Sequence, residues 1–193
     1  MTAQSATTSA RTFGFAIHNL LRLRRNLTPL FFSTFLPVFF YLLFGTMMDF
    51  GNASFKGGNF AALEMISMAL YGGVAGSVSA AGSAVTDTKT GWARQLALTP
   101  LHPRQILWAN LISIGFQALL PITAVFITGA MTQAAMQPHQ WVLAIIACVL
   151  VSIPFGFYGL VWAMALPTDN SVAIASTSVV LFLFAANVFT PLT

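Results

Sequence analysis

An all-α, polytopic membrane helix bundle is the fold class this sequence predicts, and three observations predict it. Only 6% of the 193 residues are charged and 57% are apolar, against roughly 25% charged in an ordinary soluble domain. Five apolar runs each approach the length of about 20 residues that crosses a hydrocarbon core of about 30 Å. Seven of the eight Lys and Arg residues fall in alternate connecting segments, the asymmetry of a chain threaded through a bilayer with its basic loops on the cytoplasmic side.

The same composition excludes several classes. The longest polar stretch is the 28 residues before Pro29, too little for a soluble catalytic domain, which needs about 50 residues or more. The net charge of +4 comes from basic residues that flank apolar runs, so it fits the positive-inside rule and not nucleic-acid binding. Cys148 is the only cysteine, which excludes an internal disulfide and a cysteine-based zinc cluster. His18, His102 and His139 lie in three separate segments without a His-x-x-x-His or carboxylate cluster, so no metal site is expected. The chain has no Gly-x-x-x-x-Gly-Lys-Ser/Thr loop; any nucleotide it uses must be bound by a partner.

Residues 1–10 are rich in Ser, Thr and Ala and are read as a disordered tail. Residues 11–28 form an amphipathic helix. At 100° per residue, Phe13, Ala16, Ile17, Leu20, Leu21, Leu23 and Leu27 share one side, and Arg11, His18, Asn19, Arg22, Arg25 and Asn26 share the other. Such a helix lies in the interface with its arginines towards anionic headgroups. Arg24 projects from the apolar side, either as a snorkelling side chain or as a salt-bridge partner.

The membrane domain is read as 29–193, with spans at Pro29–Met48, Phe60–Val85, Ile106–Met131, Trp141–Leu166 and Ser171–Thr190. The first follows Arg22, Arg24 and Arg25 like a signal sequence, but it is long and lacks an Ala-x-Ala-like cleavage site, so it is expected to stay uncleaved. In the second, eleven of the thirteen residues Gly72–Ala84 are Gly, Ala or Ser. Gly72, Gly76, Ser79 and Ser83 belong to small-residue repeats that let a neighbouring helix approach closely, or else make space along a substrate route. Pro29, Pro37, Pro121 and Pro154 each remove a backbone donor and are expected to kink their helices.

Glu64 is the only charged side chain inside a predicted span. Its place near the outer end of the second span favours interface anchoring over a buried functional charge. Asn110 and Gln117 share one face of the third span, for bonding to another helix or for lining a polar path. With the amino terminus inside, the cytoplasmic segments hold Arg11, Arg22, Arg24, Arg25, Lys89, Arg94 and Arg104, and the external segments hold Lys56 alone. Five spans leave the carboxyl terminus outside. The chain ends at Pro191, Leu192 and Thr193, directly after an apolar run, and truncation before a further segment is expected.

Between the second and third spans, Gly91 to Leu98 reads as a short interfacial helix stopped by Thr99-Pro100. Asp87, Lys89, Gly91, Leu96, Thr99, Pro100 and Leu101 there match an acidic-basic-Gly, apolar, Ser/Thr-Pro-Leu pattern. On these residues and the span layout, the chain from Arg11 to Thr193 resembles the membrane permeases of type-2 ATP-binding-cassette (ABC) exporters, the class that includes daunorubicin-type drug and antibiotic exporters. Asp87 stands where that family often has Glu, and Trp92 is bulkier than its usual residue. The resemblance implies a coupling helix docked on a separate ABC ATPase, with Asp87, Lys89, Gly91 and Arg94 as contacts and Pro100 as a structural stop. It implies ATP and Mg on that partner and no cofactor or enzyme activity on this chain. It further implies a homodimer or heterodimer of permeases in a prokaryotic plasma (inner) membrane, surrounded by lipid, with an amphiphilic cargo. External re-entrant helices and a sixth span, present in that family, do not appear in these residues. An ion-gradient-driven transporter, with Glu64 as its titratable group, and a non-transporting scaffold subunit are the rival readings.

Overall fold

The computed structural model describes residues 27–47, 53–55, 57–87, 103–165 and 171–186. Five α-helices dominate these residues: α1 (Leu27–Phe40), α2 (Phe60–Asp87), α3 (Pro103–Met131), α4 (Pro138–Ala165) and α5 (Ser171–Ala185). α1 continues into a π-helical segment, Tyr41–Thr46, and a small antiparallel hairpin, β1 (Ser54–Phe55) with β2 (Gly58–Asn59), leads into α2. Phe60–Gly82, Asn110–Met131 and Pro138–Ala165 are long and apolar enough to cross a membrane, and Leu30–Thr46 and Ala173–Ala185 are shorter apolar helices. The amino-terminal interfacial helix and the Gly91 to Leu98 helix lie outside the described residues.

Helix starts follow capping chemistry and not the first apolar residue. α3 opens on Pro103 and α4 on Pro138, three residues before each apolar run. Proline suits the first helical turn because its missing N–H would find no partner there. At α4 the Gln137 N–H donates to Gln140 Oε1 at 3.1 Å, the reach-back half of a capping box. Asn59 caps α2: its Oδ1 accepts from the Ala62 N–H at 3.0 Å.

α2 is the axis of the bundle and packs against each of the other four helices. It meets α3 antiparallel, with Met65 opposite Gly129, Gly72 opposite Pro121 and Gly76 opposite Gln117. α4 runs alongside it in the same direction: Gly73 lies against Ser152, and Val78 and Ala81 against Gly159. Tyr41, Met65, Met68, Ile122, Val125 and Phe126 fill one core, and Val74, Val78, Ala175, Val179 and Leu183 fill a second between α2 and α5. The outward surface is as apolar as the core. Phe31, Phe35 and Phe39 of α1 stack along one exposed ridge, and Leu143, Leu150 and Val161 of α4 are likewise exposed. Such a surface suits hydrocarbon, where apolar side chains have no reason to hide.

The small residues of α2 have a specific use. Proline at position i leaves the carbonyl at i−4 without its helical donor, so Pro37 frees the Ser33 carbonyl and Pro121 frees that of Gln117. Both oxygens lie against glycines of α2. A Cβ added to Gly72 would sit 3.3 Å from the Ser33 oxygen, 2.9 Å from Pro121 Cβ and 3.0 Å from Pro37 Cγ; one added to Gly76 would sit 2.5 Å from the Gln117 oxygen. Both prolines are fully buried and their helices run through them unbroken. The proline side of each helix thus closes on glycines of α2, whether or not the helix bends there.

Gly76→Ala is therefore expected to destabilise the bundle by about 1–3 kcal/mol, because the methyl meets backbone that cannot rotate away. Gly115 of α3 has nothing within 4 Å of its notional Cβ, so Gly115→Ala is expected to stabilise by about 0.5–1 kcal/mol through helix propensity alone. Reversible unfolding in mixed detergent micelles, followed by circular dichroism, measures both.

Candidate functional site

The antiparallel register of α2 and α3 puts Asp87, the last residue of α2, and Pro103, the first of α3, at one end of the bundle. Residues 88–102 join these two ends. Lys89, Gly91, Arg94 and Pro100 belong to that connection and lie outside the described residues, as do Arg22, Arg24 and Arg25. The helix pair beneath the connection is the one closed by Gly76 on the Gln117 carbonyl. A displacement applied to the connection would thus reach two helices in backbone contact, which move as one body more readily than helices separated by flexible side chains.

Gly72 and Gly76 are buried at the junctions with α1 and α3, and Ser79 is half-buried on the same helix. Ser83 is in α2, and its side chain lies outside the description. Asn110 is half-buried, whereas Gln117 is buried beside Gly76. The two therefore differ in environment despite sharing a helical face. Ser152 is buried with its hydroxyl donating to the Cys148 carbonyl at 2.7 Å, a bond back to its own helix. Among the described residues no group of three or more His, Cys, Asp or Glu is placed to hold a metal ion.

Glu64 departs from the expected interface anchoring. It is 1% exposed, and its Oε1 has no hydrogen-bond partner among the described residues. The reason is its place on the helix: Ala61, Glu64, Met65 and Met68 form one stripe, all buried, and the π-helical segment of α1 packs on α2 at this level. Distance from the helix end measures depth along the bilayer normal. It does not say which side the residue faces.

The end of the bundle opposite the 88–102 connection carries polar contacts that the sequence reading missed. The Asn59 side-chain amide donates to the Gln133 carbonyl, its Oδ1 accepts from Ala135 N–H at 2.9 Å, and its own N–H donates to the Ala135 carbonyl at 3.1 Å. Gly58 forms a bridge with Met136 beside it. The Tyr41 and Thr132 hydroxyls are 2.7 Å apart and tie the π-helical segment to the end of α3. An Asn directly before an apolar run is a legible capping signal. Its second role, across more than 70 residues of sequence, has no local signature.

Comparison with known proteins gives one finding that bears on function. The chain is 22% identical over 178 residues to a curated protein named "Putative transport permease YvfS" from Bacillus subtilis (strain 168), covering 91% of this chain and 72% of that one. The likeness is to a transport permease. No protein-family model matches the chain, and no solved structure matches it. The similarity covers far more than any single helix, and together with the three long apolar helices it marks a membrane protein.

The Tyr41–Thr132 contact can be isolated chemically. Tyr41→Phe and Thr132→Val each remove one hydroxyl, and a double-mutant cycle is expected to return a coupling of about 0.6 kcal/mol, with about 1.7 kcal/mol as the upper end for interhelical hydrogen bonds in membranes. Additive single effects in the unfolding assay would show that the two hydroxyls do not bond in the lipid-embedded protein.

Proposed function

We propose that this chain is the membrane-spanning permease subunit of an ATP-driven ABC exporter, energised by a separate ATPase that carries the ATP and Mg. The observation that carries the reading is the likeness to a transport permease along 91% of the chain. It is joined by the Asp87-x-Lys89-x-Gly91 and Thr99-Pro100-Leu101 pattern in the segment that links α2 to α3. Five spans cross the inner membrane of a prokaryote with the amino terminus in the cytoplasm, which puts the 88–102 connection on the cytoplasmic side. Two permeases, alike or different, enclose the route.

In this reading the connection is a coupling helix. Closure of the ATPase on ATP favours one arrangement of α2 and α3 over another, and the coupling segment delivers that difference. Asp87, Lys89, Gly91 and Arg94 meet the ATPase, Pro100 ends the coupling helix, and Arg22, Arg24 and Arg25 hold the flanking interfacial helix against lipid. The cargo is an amphiphile such as a drug, an antibiotic, a lipid or a lipid-linked glycan. The apolar, aromatic surfaces of α1 and α4 support a cargo that travels in contact with hydrocarbon.

Purification of the tagged protein from its native membrane in mild detergent is expected to bring down an ATPase bearing a phosphate-binding loop. Asp87→Ala combined with Arg94→Ala is expected to lower transport-coupled ATPase stimulation by about 5- to 150-fold, the range of a coupling free energy of about 1–3 kcal/mol, while the circular dichroism spectrum stays unchanged. Full stimulation in the double variant would overturn the coupling assignment. An intact complex without an ATPase would overturn the exporter.

A further inference from the structure

α1 runs on into Tyr41–Thr46 with π geometry, in which the N–H at i bonds the carbonyl at i−5 and each turn holds more residues than an α-turn. Such turns are rare, and three contacts hold this one. The Tyr41 ring lies over Gly45, where an added Cβ would come within 2.7 Å of Cε2 and 2.9 Å of Cδ2. The Thr46 hydroxyl donates to the Leu42 carbonyl at 2.6 Å, the acceptor that the Thr46 N–H would use in an α-helix. The third contact comes from outside α1. Thr132 follows Met131, the last residue of α3, and its hydroxyl lies 2.9 Å from the Thr128 carbonyl, 3.2 Å from that of Gly129 and 2.7 Å from the Tyr41 hydroxyl. A hydroxyl has one proton. Thr132 gives its proton to its own helix, so Tyr41 is the donor between the two. Tyr41 is fully buried, and Thr132 is the acceptor the bundle offers it.

That acceptor stands at the end of a long rod. α3 has 29 residues, roughly 44 Å at 1.5 Å per residue. It starts at Pro103, where the 88–102 connection ends, and finishes beside Thr132. α1 is seated on α2 separately, with Pro37 and the Ser33 carbonyl against Gly72. Movement of α3 relative to α1 therefore bears on the Tyr41–Thr132 bond. We propose that the π-turn of α1 is a conformational switch set by α3: Thr132 in place holds 41–46 in π geometry, and its withdrawal lets the segment relax to α-helix. The exchange costs few backbone bonds, because each N–H trades an acceptor at i−5 for one at i−4, so the two forms compete closely. The Thr132 bond and the Tyr41 seat on Gly45 belong to the π form, and a differential contact of this kind shifts the population. An α-turn holds fewer residues than a π-turn, so conversion lengthens α1 and carries Met47 outward and around its axis. Met65 and Met68, which pack beside Tyr41, can adjust to either form, since an unbranched thioether adapts to irregular space. Use of the switch in transport rests on the permease reading above, but the switch itself is a property of this chain alone.

Spin labels on Phe31→Cys and Met47→Cys, both exposed positions, report the form of α1 by double electron–electron resonance on the full chain in lipid nanodiscs, with Cys148→Ala as background. The labels stand about 24 Å apart along an unbroken α-helix and closer with a π-turn between them. Thr132→Val and Tyr41→Phe are each expected to raise the ratio of the longer to the shorter distance about threefold, the effect of an average interhelical hydrogen bond in a membrane. Gly45→Ala, whose methyl meets the Tyr41 ring, is expected to raise it about tenfold. Thr132 lies outside α1, so its variant leaves the sequence between the labels intact. Growth of the longer component in both Thr132→Val and Gly45→Ala establishes the switch. A distance that stays unchanged, shortens or only broadens in either of the two overturns it. Because the readout needs neither ATPase nor cargo, failure to find export leaves this result standing, and failure here leaves the permease reading standing.

Discussion

The packing of proline-bearing helices onto the bare face of α2 is the constraint on which the rest of the bundle depends. A carbonyl released by proline in a lipid-embedded helix has no water to bond, and it cannot be left facing hydrocarbon without cost. Ser33 and Gln117 present such carbonyls, and α2 receives both at Gly72 and Gly76. The glycines matter for what they lack, since any side chain there would hold the oxygens off and open a gap along the helix. α1 and α3 are thereby fixed on α2 at one height, and the antiparallel register of the central pair follows.

The remaining helices attach by the same principle with less demanding chemistry. Gly156 of α4 receives Ile114 of α3, and Gly159 receives Val78 of α2, so small residues again mark closest approach. Among the described residues, interhelical side-chain hydrogen bonds include the Tyr158 and Ser178 hydroxyls, 2.7 Å apart between α4 and α5, and the Cys148 thiol donating to the Ile66 carbonyl between α4 and α2. Lipid tails are as apolar as the side chains, so association rests on close packing and not on hiding hydrophobic area. A bundle held this way resists local compression and responds to force by moving whole helices. Its two ends are then free to differ. One carries the Asn59 hydrogen bonds to Gln133 and Ala135, and at the other a connection of fifteen residues, 88–102, joins α2 to α3.

Helix placement was legible because periodicity and length speak loudly in an apolar chain. The apolar runs beginning near Pro29, Phe60, Ile106, Trp141 and Ser171 correspond to α1 through α5, with edges displaced where capping residues outvoted hydropathy, as at Pro103 and Pro138. The π-helical segment at Tyr41–Thr46 and the hairpin at 54–59 were not legible. Neither has a sequence period, and each exists because a neighbour holds it: Thr132 holds Tyr41, and 133–136 hold Gly58 and Asn59. Glu64 was misjudged for a related reason. Linear position gave its depth along the membrane normal, but whether the carboxyl met water depended on Met65 and Met68 beside it and on the α1 segment packed at its level.

By itself the sequence determined the helical, apolar class and the positions of the five apolar helices among the described residues, because transfer of a helix into hydrocarbon is a sum over its own residues. It also identified the helix with the closest neighbours, since eleven small residues in thirteen can serve few other ends. Tertiary structure alone decided which surfaces those small residues meet, that Thr34 Oγ1, Glu64 Oε1 and Ser77 Oγ are buried without a partner among the described residues, and what Asn59 bonds beyond its own helix. Those outcomes are pairwise. The burial of Glu64, the second role of Asn59 and the fit of Gly76 to the Gln117 carbonyl each depend on an atom from a distant part of the chain, and no local pattern contains that partner.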